Sequence, residues 1–378
     1  MGRKIILHGG LPKTGTTTVQ NAFWQAREML LAEGRLMYPS VDANHTNAIC
    51  TIFLDDPSKH ITNQIAAIGG NVDLAALQDE YRAKIEADLN RDGWDVALIS
   101  AEGIANLSAA EITKFRDWAL GFADEIEALY WVREPVAFAT SNAQQLVKGG
   151  WSAEKLNEQL PVPNFQGRIG NAISVFGRDS VRIEPFEAAI KHEGGVVGAF
   201  ADHVGLDPTL AARIADSESH DNVALSDEAV KMLMHLNKVR PLFASEEEQR
   251  RTGHETMQMQ RVVGTKFKFS LAMRRRIYNF TRPDVAWLNK TFDRSLYQKP
   301  FDDRDDQDKA LRPDTLASIA MLISDILNEN EALRLTLKTQ HSLEDGDPAR
   351  AQSNAARATR LSGEKSFVRE ALKRIPIS

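Results

Sequence analysis

Cysteine is almost missing from this 378-residue chain, where Cys50 stands alone. One thiol cannot form an internal disulfide, and it leaves no cysteine set for a structural zinc site. No run approaches the ~18 apolar residues of a membrane span. No apolar stretch of signal-peptide type precedes the first polar loop. Positive charge is not in excess: 46 Lys and Arg face 52 Asp and Glu, a formal net charge of −6. An overall basic face of the kind that binds nucleic acid is therefore not expected, and any phosphate chemistry must come from a local site. No internal repeat stands out. What the chain does have is 43% hydrophobic and 26% charged residues, an ordinary globular balance that excludes a disordered or collagen-like chain. The length allows two domains, or one large α/β domain with additions.

The opening segment sets the class. Ile5, Ile6 and Leu7 form a short apolar run, followed by Gly9, Gly10, Pro12 and Gly15, then a helical stretch from Thr17 to Leu31. Strand, glycine-rich turn and helix open a βαβ unit. Further strands are expected at Val96–Ile99, at Ala128–Val132 and, more weakly, at 180–184. Helices are expected between them at Leu74–Leu89 and Ala109–Phe122. This alternation predicts an α/β fold, a P-loop-type, mostly parallel sheet flanked by helices. Polar residues closing its strands then lie where ligands bind. From about residue 190 the pattern turns helical, at Gly195–Val204, Ser226–Leu236 and Ser270–Phe280, giving a helical C-terminal extension. After the acidic stretch 301–306, a long helix is expected from about Pro313 to Gln340. Residues 342–366 read as linker or disorder, and the tail after Pro348 is basic, with Arg350, Arg357, Arg360, Lys365, Arg369, Lys373 and Arg374.

Gly10 to Thr17 is nearly the Walker loop G-x-x-x-x-G-K-[ST], with both glycines and the last Thr in place. The lysine is displaced: Thr16 stands where the nucleotide-triphosphate Lys should be, and Lys13 lies inside the loop. From there Lys13 points at a shorter anion, or at the bridging oxygen of a group being transferred. Two readings stay open beside a group transferase. One is a nucleotide-dependent kinase with a degenerate Walker loop, and the other is a nucleotide-binding scaffold without catalysis.

The segment Leu11-Pro12-Lys13-Thr14-Gly15-Thr16-Thr17-Thr18 resembles the 5′-phosphosulfate loop of sulfotransferases that use 3′-phosphoadenosine 5′-phosphosulfate (PAPS). A second signature of that family is a strand ending in Arg, with a Ser eight positions on. Here Tyr130-Trp131-Val132-Arg133 is followed by Ser141. A third, weaker likeness is Val181 to Glu187 with the helix Val196–Gly205. The resemblance spans roughly residues 4–206, and is to the diverse bacterial branch acting on carbohydrates or other large acceptors. The late Arg-Lys-Gly loop of the cytosolic enzymes is absent, so the closing of the site is unassigned. Gly264-Thr-Lys-Phe-Lys and Arg274–Arg276 are the late basic clusters.

The resemblance implies PAPS as co-substrate, no metal, and a sulfotransferase-like domain over 1–300, with 207–300 as its helical acceptor or cap region. Residues 301–341 are then a long helix and 342–378 a linker and basic tail. Pro12, Lys13, Thr14, Gly15, Thr16, Thr17 and Thr18 would hold the 5′-phosphate, although threonines here also suit plain helix capping. Lys13 would meet the charge on the leaving oxygen. Arg133 and Ser141 would hold the 3′-phosphate; a salt bridge from Arg133 to Glu134 or Glu187 is the plainer alternative. Two candidates for the base that takes the acceptor proton remain. His45 lies in the loop-like run 38–46, and Glu102 closes the Val96–Ile99 strand. His8 reads as buried packing, and His220 and His254 as surface residues. Gln144, Gln145 and Lys148 are candidate acceptor contacts. The expected acceptor is a glycan or glycolipid and the expected location cytoplasmic, with the basic tail offering peripheral contact to a membrane. In the long helix, Leu316, Ile319, Ile323, Ile326, Asn330, Leu333 and Leu337 follow an a/d seam. It suits a coiled-coil homodimer through 313–340, or a helix packed on its own domain.

Overall fold

The structure is a computed structural model that describes residues 2–68, 73–215, 224–242, 254–304, 312–362 and 371–373. Its centre is one five-stranded sheet of β1 (Lys4–His8), β2 (Leu36–Met37), β3 (Val96–Ser100), β4 (Glu125–Val132) and β5 (Val181–Pro185). The spatial order is β2-β3-β1-β4-β5 and every pairing is parallel. The α/β class and the four longer strands are as the apolar runs predict. The runs of β1, β3 and residues 128–132 do not alternate with polar residues because helices cover both faces of the sheet, while the edge strand β5 alternates Val181 and Ile183 with Arg182 and Glu184. Ile5 and Leu7 pack with Ala97 and Ile99 on one face. Ile6 packs with Leu98, Leu129 and Trp131 on the other. From β1 the chain moves out to β2 and β3, then crosses to β4 on the opposite side. The carboxyl end of β1 therefore lies at a topological switch point.

Local chemistry moves several helix ends. The stretch expected at 17–31 is two helices, α1 (Thr16–Gln25) and Arg27–Gly34, broken at Ala26. Arg27 donates to the Trp24 carbonyl at 2.9 Å, satisfying an acceptor freed at the break. The helix expected from Ala109 ends at Ala119 and starts on a reciprocal Ser108–Glu111 capping box. The helix expected at 270–280 runs on to Phe292 through Pro283. Val285, Leu288 and Phe292 hold its later turns against Ala128, Val132 and Val181 of the sheet, outweighing the proline.

The segment 342–366, read as linker or disorder, contains a helix at Pro348–Leu361. Pro348 stands in its first turn, and Asp347 accepts the Arg350 N–H at 2.9 Å. Its alanines are strong helix formers, and Ala351 and Ala358 are small enough to be fully buried. Ala358 packs with Ala332 and Leu335 of the Pro313–Glu344 helix. That contact uses the face opposite the a/d seam. Seam residues Ile323 and Leu337 are 53% and 58% exposed, and Ile326 and Leu333 are also exposed. Lys365, Arg369 and Arg374 of the basic tail lie outside the described residues, as does His220.

The chain divides into two compact units. One comprises 1–145, 156–222 and 269–305, and carries the sheet. The other comprises 146–155, 223–268 and 306–378. Among the described residues, no helix is long and apolar enough to cross a membrane.

Candidate active site

The ends of β1, β3 and β4 build the site, and all belong to the sheet-bearing unit. After β1 the chain turns through left-handed conformations at Gly10 (φ 53°), Lys13 (φ 69°) and Gly15 (φ 76°). Lys13 is the costly one, because a side chain rarely adopts that conformation without being held there. Two bonds hold it. The Thr14 hydroxyl donates to the Leu11 carbonyl at 2.6 Å, closing the turn from inside. Arg133, at the end of β4, donates through Nη1 to the Lys13 carbonyl at 2.8 Å. Gly15 is also required sterically: a Cβ there would lie 2.8 Å from Val196 and 3.1 Å from Phe186.

Gly15 is the N-cap of α1 and offers no side-chain cap. The first intrahelical bond here runs from the Val19 N–H to the Gly15 carbonyl. The N–H groups of Thr16, Thr17 and Thr18 thus precede the helical ladder and face the loop mouth, a setting that favours an anion. The threonines divide their work. Thr14 is buried and spent on the turn, Thr16 is buried and donates to Glu102, and Thr17 is exposed. The Lys13 ammonium lies 3.3 Å from the Gln145 side-chain oxygen, so one residue expected to meet the acceptor instead meets the loop lysine.

Arg133 stacks over the Phe186 ring at 5.3 Å. The neighbouring carboxylates are taken up elsewhere. Glu134 accepts the Ala137 N–H at 2.7 Å. Glu187 accepts the Glu134 N–H at 2.8 Å and is 3.0 Å from the Tyr297 hydroxyl. The guanidinium therefore binds the loop rather than a salt-bridge partner. Ser141 lies half-buried on the Pro135–Lys148 helix and shares no hydrogen bond with Arg133.

The two candidate bases are placed very differently. Glu102 opens a short turn, Glu102–Asn106, after β3, and its carboxylate accepts the Thr16 hydroxyl. That bond puts a carboxylate beside the first turn of α1. His45 is not in an exposed loop. It is fully buried at the start of the Thr46–Phe53 helix, tilted against Tyr38 with ring centres 4.6 Å apart. Its Nδ1 accepts the Ser100 N–H at 3.0 Å, and its Nε2 lies 3.0 Å from the Pro39 carbonyl. Both nitrogens are occupied by backbone, and burial pushes the ring down to about 4. This ring fixes the end of β3, and the arrangement leaves it no free nitrogen for an acceptor proton. His8 is buried as expected, with Nδ1 2.9 Å from the Ser100 hydroxyl.

A cavity of about 960 Å³ adjoins the Glu102–Asn106 turn, between the Phe165–Phe176 and Leu271–Phe292 helices. Arg168 lines it, and the sequence reading passed over this residue. One signal for it was present. Arg168 shares a helical face with Phe165 and Ala172, both buried, and a guanidinium on an apolar face is unusual.

No protein-family model matches the chain, and no curated protein matches it in sequence. Among solved structures, it is similar to a sulfotransferase from Alicyclobacillus acidocaldarius. The two are 15% identical with a TM-score of 0.44, over 78% of this chain and 98% of that one.

Proposed function

We propose that the protein transfers a sulfuryl group from PAPS to a hydroxyl or amine of an acceptor, a carbohydrate or glycolipid in our reading. The observation that carries this is the convergence of three separate strand ends. The loop after β1 presents Lys13, β4 supplies Arg133 to that loop, and β3 brings Glu102 to Thr16. A donor with a phosphosulfate anhydride and a 3′-phosphate suits a left-handed anion cradle flanked by one lysine and one arginine. When bound, the donor supplies an activated sulfuryl group on a phosphate leaving group.

The residues then have distinct tasks. N–H groups at the start of α1 and the exposed Thr17 hydroxyl hold the 5′-phosphate. Lys13 meets the negative charge that grows on the bridging oxygen as the S–O bond breaks. Arg133 pairs with the 3′-phosphate, for which its planar fork is suited, with Ser141 beside it. Glu102 takes the proton from the acceptor as its oxygen attacks sulfur.

The test is thermal-shift binding of adenosine 3′,5′-bisphosphate against ADP and ATP, with and without Mg²⁺. The bisphosphate should stabilise the protein most, without Mg²⁺. A preference for ATP with Mg²⁺ would favour the kinase reading and overturn this one. Arg133→Ala should weaken the bisphosphate by about 10- to 100-fold more than 5′-AMP, the scale of one lost charge-assisted fork. Equal loss for both nucleotides would remove Arg133 from the 3′-phosphate.

A further inference from the structure

We propose that the cavity beside Glu102 binds an acceptor that already bears an oxyanion, a carboxylate or a sulfate, and that Arg168 is the residue that reads it. This deepens the sulfotransferase reading and rests on it only for the role of acceptor.

Arg168 lies in the second turn of the Phe165–Phe176 helix and lines the cavity. Its Nη1 is buried and has no hydrogen-bond partner among the described residues. A guanidinium cannot shed its proton to escape that situation, and a buried N–H left unpaired is costly, more so on a charged group. The Glu102 charge opposes the effect of burial on Arg168. The carboxylate in the wall, Asp284, is already engaged. Its two oxygens accept the N–H groups of Phe165 at 2.6 Å and Gln166 at 2.8 Å. Asp284 thus closes the first turn of that helix to any ligand anion, leaving Arg168 as the cation of the cavity. A planar fork with an open N–H matches the paired oxygens of a carboxylate or sulfate.

The rest of the cavity suits a sugar. Its volume of about 960 Å³ is at the upper end of the ~300–1,000 Å³ of small-ligand sites. Asn106 and Asn164 offer amides, Leu160 an apolar wall, and Phe280 an aromatic ring that is 63% exposed. Ala105 and Asn106, from the turn that Glu102 begins, form one wall. An acceptor anchored at Arg168 by its charge therefore extends toward the carboxylate proposed to take its proton.

The experiment is calorimetric or saturation-transfer binding on the full chain, without nucleotide, using methyl glucuronide, glucose 6-sulfate and methyl glucoside. At least one charged sugar should bind about tenfold or more tightly than the neutral one, the scale of one charge-assisted contact, and the tighter of the two identifies the anion. Arg168→Gln should erase the preference while leaving adenosine 3′,5′-bisphosphate binding within about twofold. Equal binding of neutral and charged sugars by the unaltered protein would overturn the proposal, whether or not the variant folds. So would a preference that survives in a folded Arg168→Gln. If charged sugars bind through Arg168 but the bisphosphate does not bind at all, the cavity inference stands and the sulfotransferase reading falls.

Discussion

Single residues decide the chemistry here, and two buried rings illustrate how. His45 and His8 are held neutral by burial, at about 4 and about 3 against an ordinary value of 6.5. For His8 the His203 charge adds to the effect of burial. Both folded values lie below the unfolded one, so the unfolded chain binds more protons in acid. Their contribution is complete above about pH 6.5 and is lost as pH falls toward 4 and then 3, by up to ~1.4 kcal/mol per pH unit for each ring. Urea midpoints taken from pH 7.5 to 4.5 should fall along that window, and His45→Asn should flatten the slope; an unchanged slope would contradict the burial argument. Glu102→Gln should reduce turnover by about 10²- to 10⁴-fold while bisphosphate binding persists. Near-normal turnover would remove Glu102 as the base. That Lys13 would lie in a tight turn after β1 and Arg133 at the end of β4 was legible from the glycine spacing and from the apolar run that Arg133 closes. The burial of His45 was not legible, because the polar run around it reads as a loop. Nothing in residues 38–46 shows that its ring would stand in for a strand neighbour of Ser100. Arg168 carried no motif, since its meaning depends on a cavity formed by segments more than a hundred positions apart.

At the scale of elements, burial periodicity reports well where one surface does the packing and poorly where small residues do it. β1, β3 and the run 128–132 of β4 announce themselves because they are buried on both faces, and β5 because its apolar residues alternate. The two-residue β2 is too short to show any period, and Pro348–Leu361 hides behind an alanine- and arginine-rich composition. The long helix that it covers has two apolar faces. Ala332 and Leu335 meet the Pro348–Leu361 helix, while Ile323, Ile326, Leu333 and Leu337 remain open along a seam of three- and four-residue spacings. If that seam joins two copies of the chain, Ile323→Glu combined with Leu337→Glu should convert a dimer to a monomer in sedimentation. Because both positions are exposed, the change should cost within about 0.5 kcal/mol each of intrinsic stability. A mass unchanged by the pair of substitutions would dismiss the seam as an interface. Ala358→Asp should act oppositely, destabilising the helical pair by several kcal/mol through an unpaired buried charge. Circular dichroism on denaturant titration distinguishes the two.

The whole molecule adds a constraint that neither residues nor elements show. The sheet is complete by residue 185, yet the unit around it draws on 269–305 as well. Val285, Leu288 and Phe292 cover Ala128, Val132 and Val181, and the Tyr297 hydroxyl lies 2.9 Å from the Val132 carbonyl, next to Arg133. A chain ended after Arg304 should therefore keep its thermal response to adenosine 3′,5′-bisphosphate. One ended after Ser270 should lose it and aggregate through the uncovered sheet. Equal behaviour of the two would show that the late helix is dispensable.

The late arrival of Tyr297 also fixes an order of events during synthesis. A ribosome that has released every strand has still not released the residue that braces the arginine end of the cradle. The nascent protein is born with its left-handed loop written but its clasp missing, and it waits for more than a hundred further residues before that clasp can close.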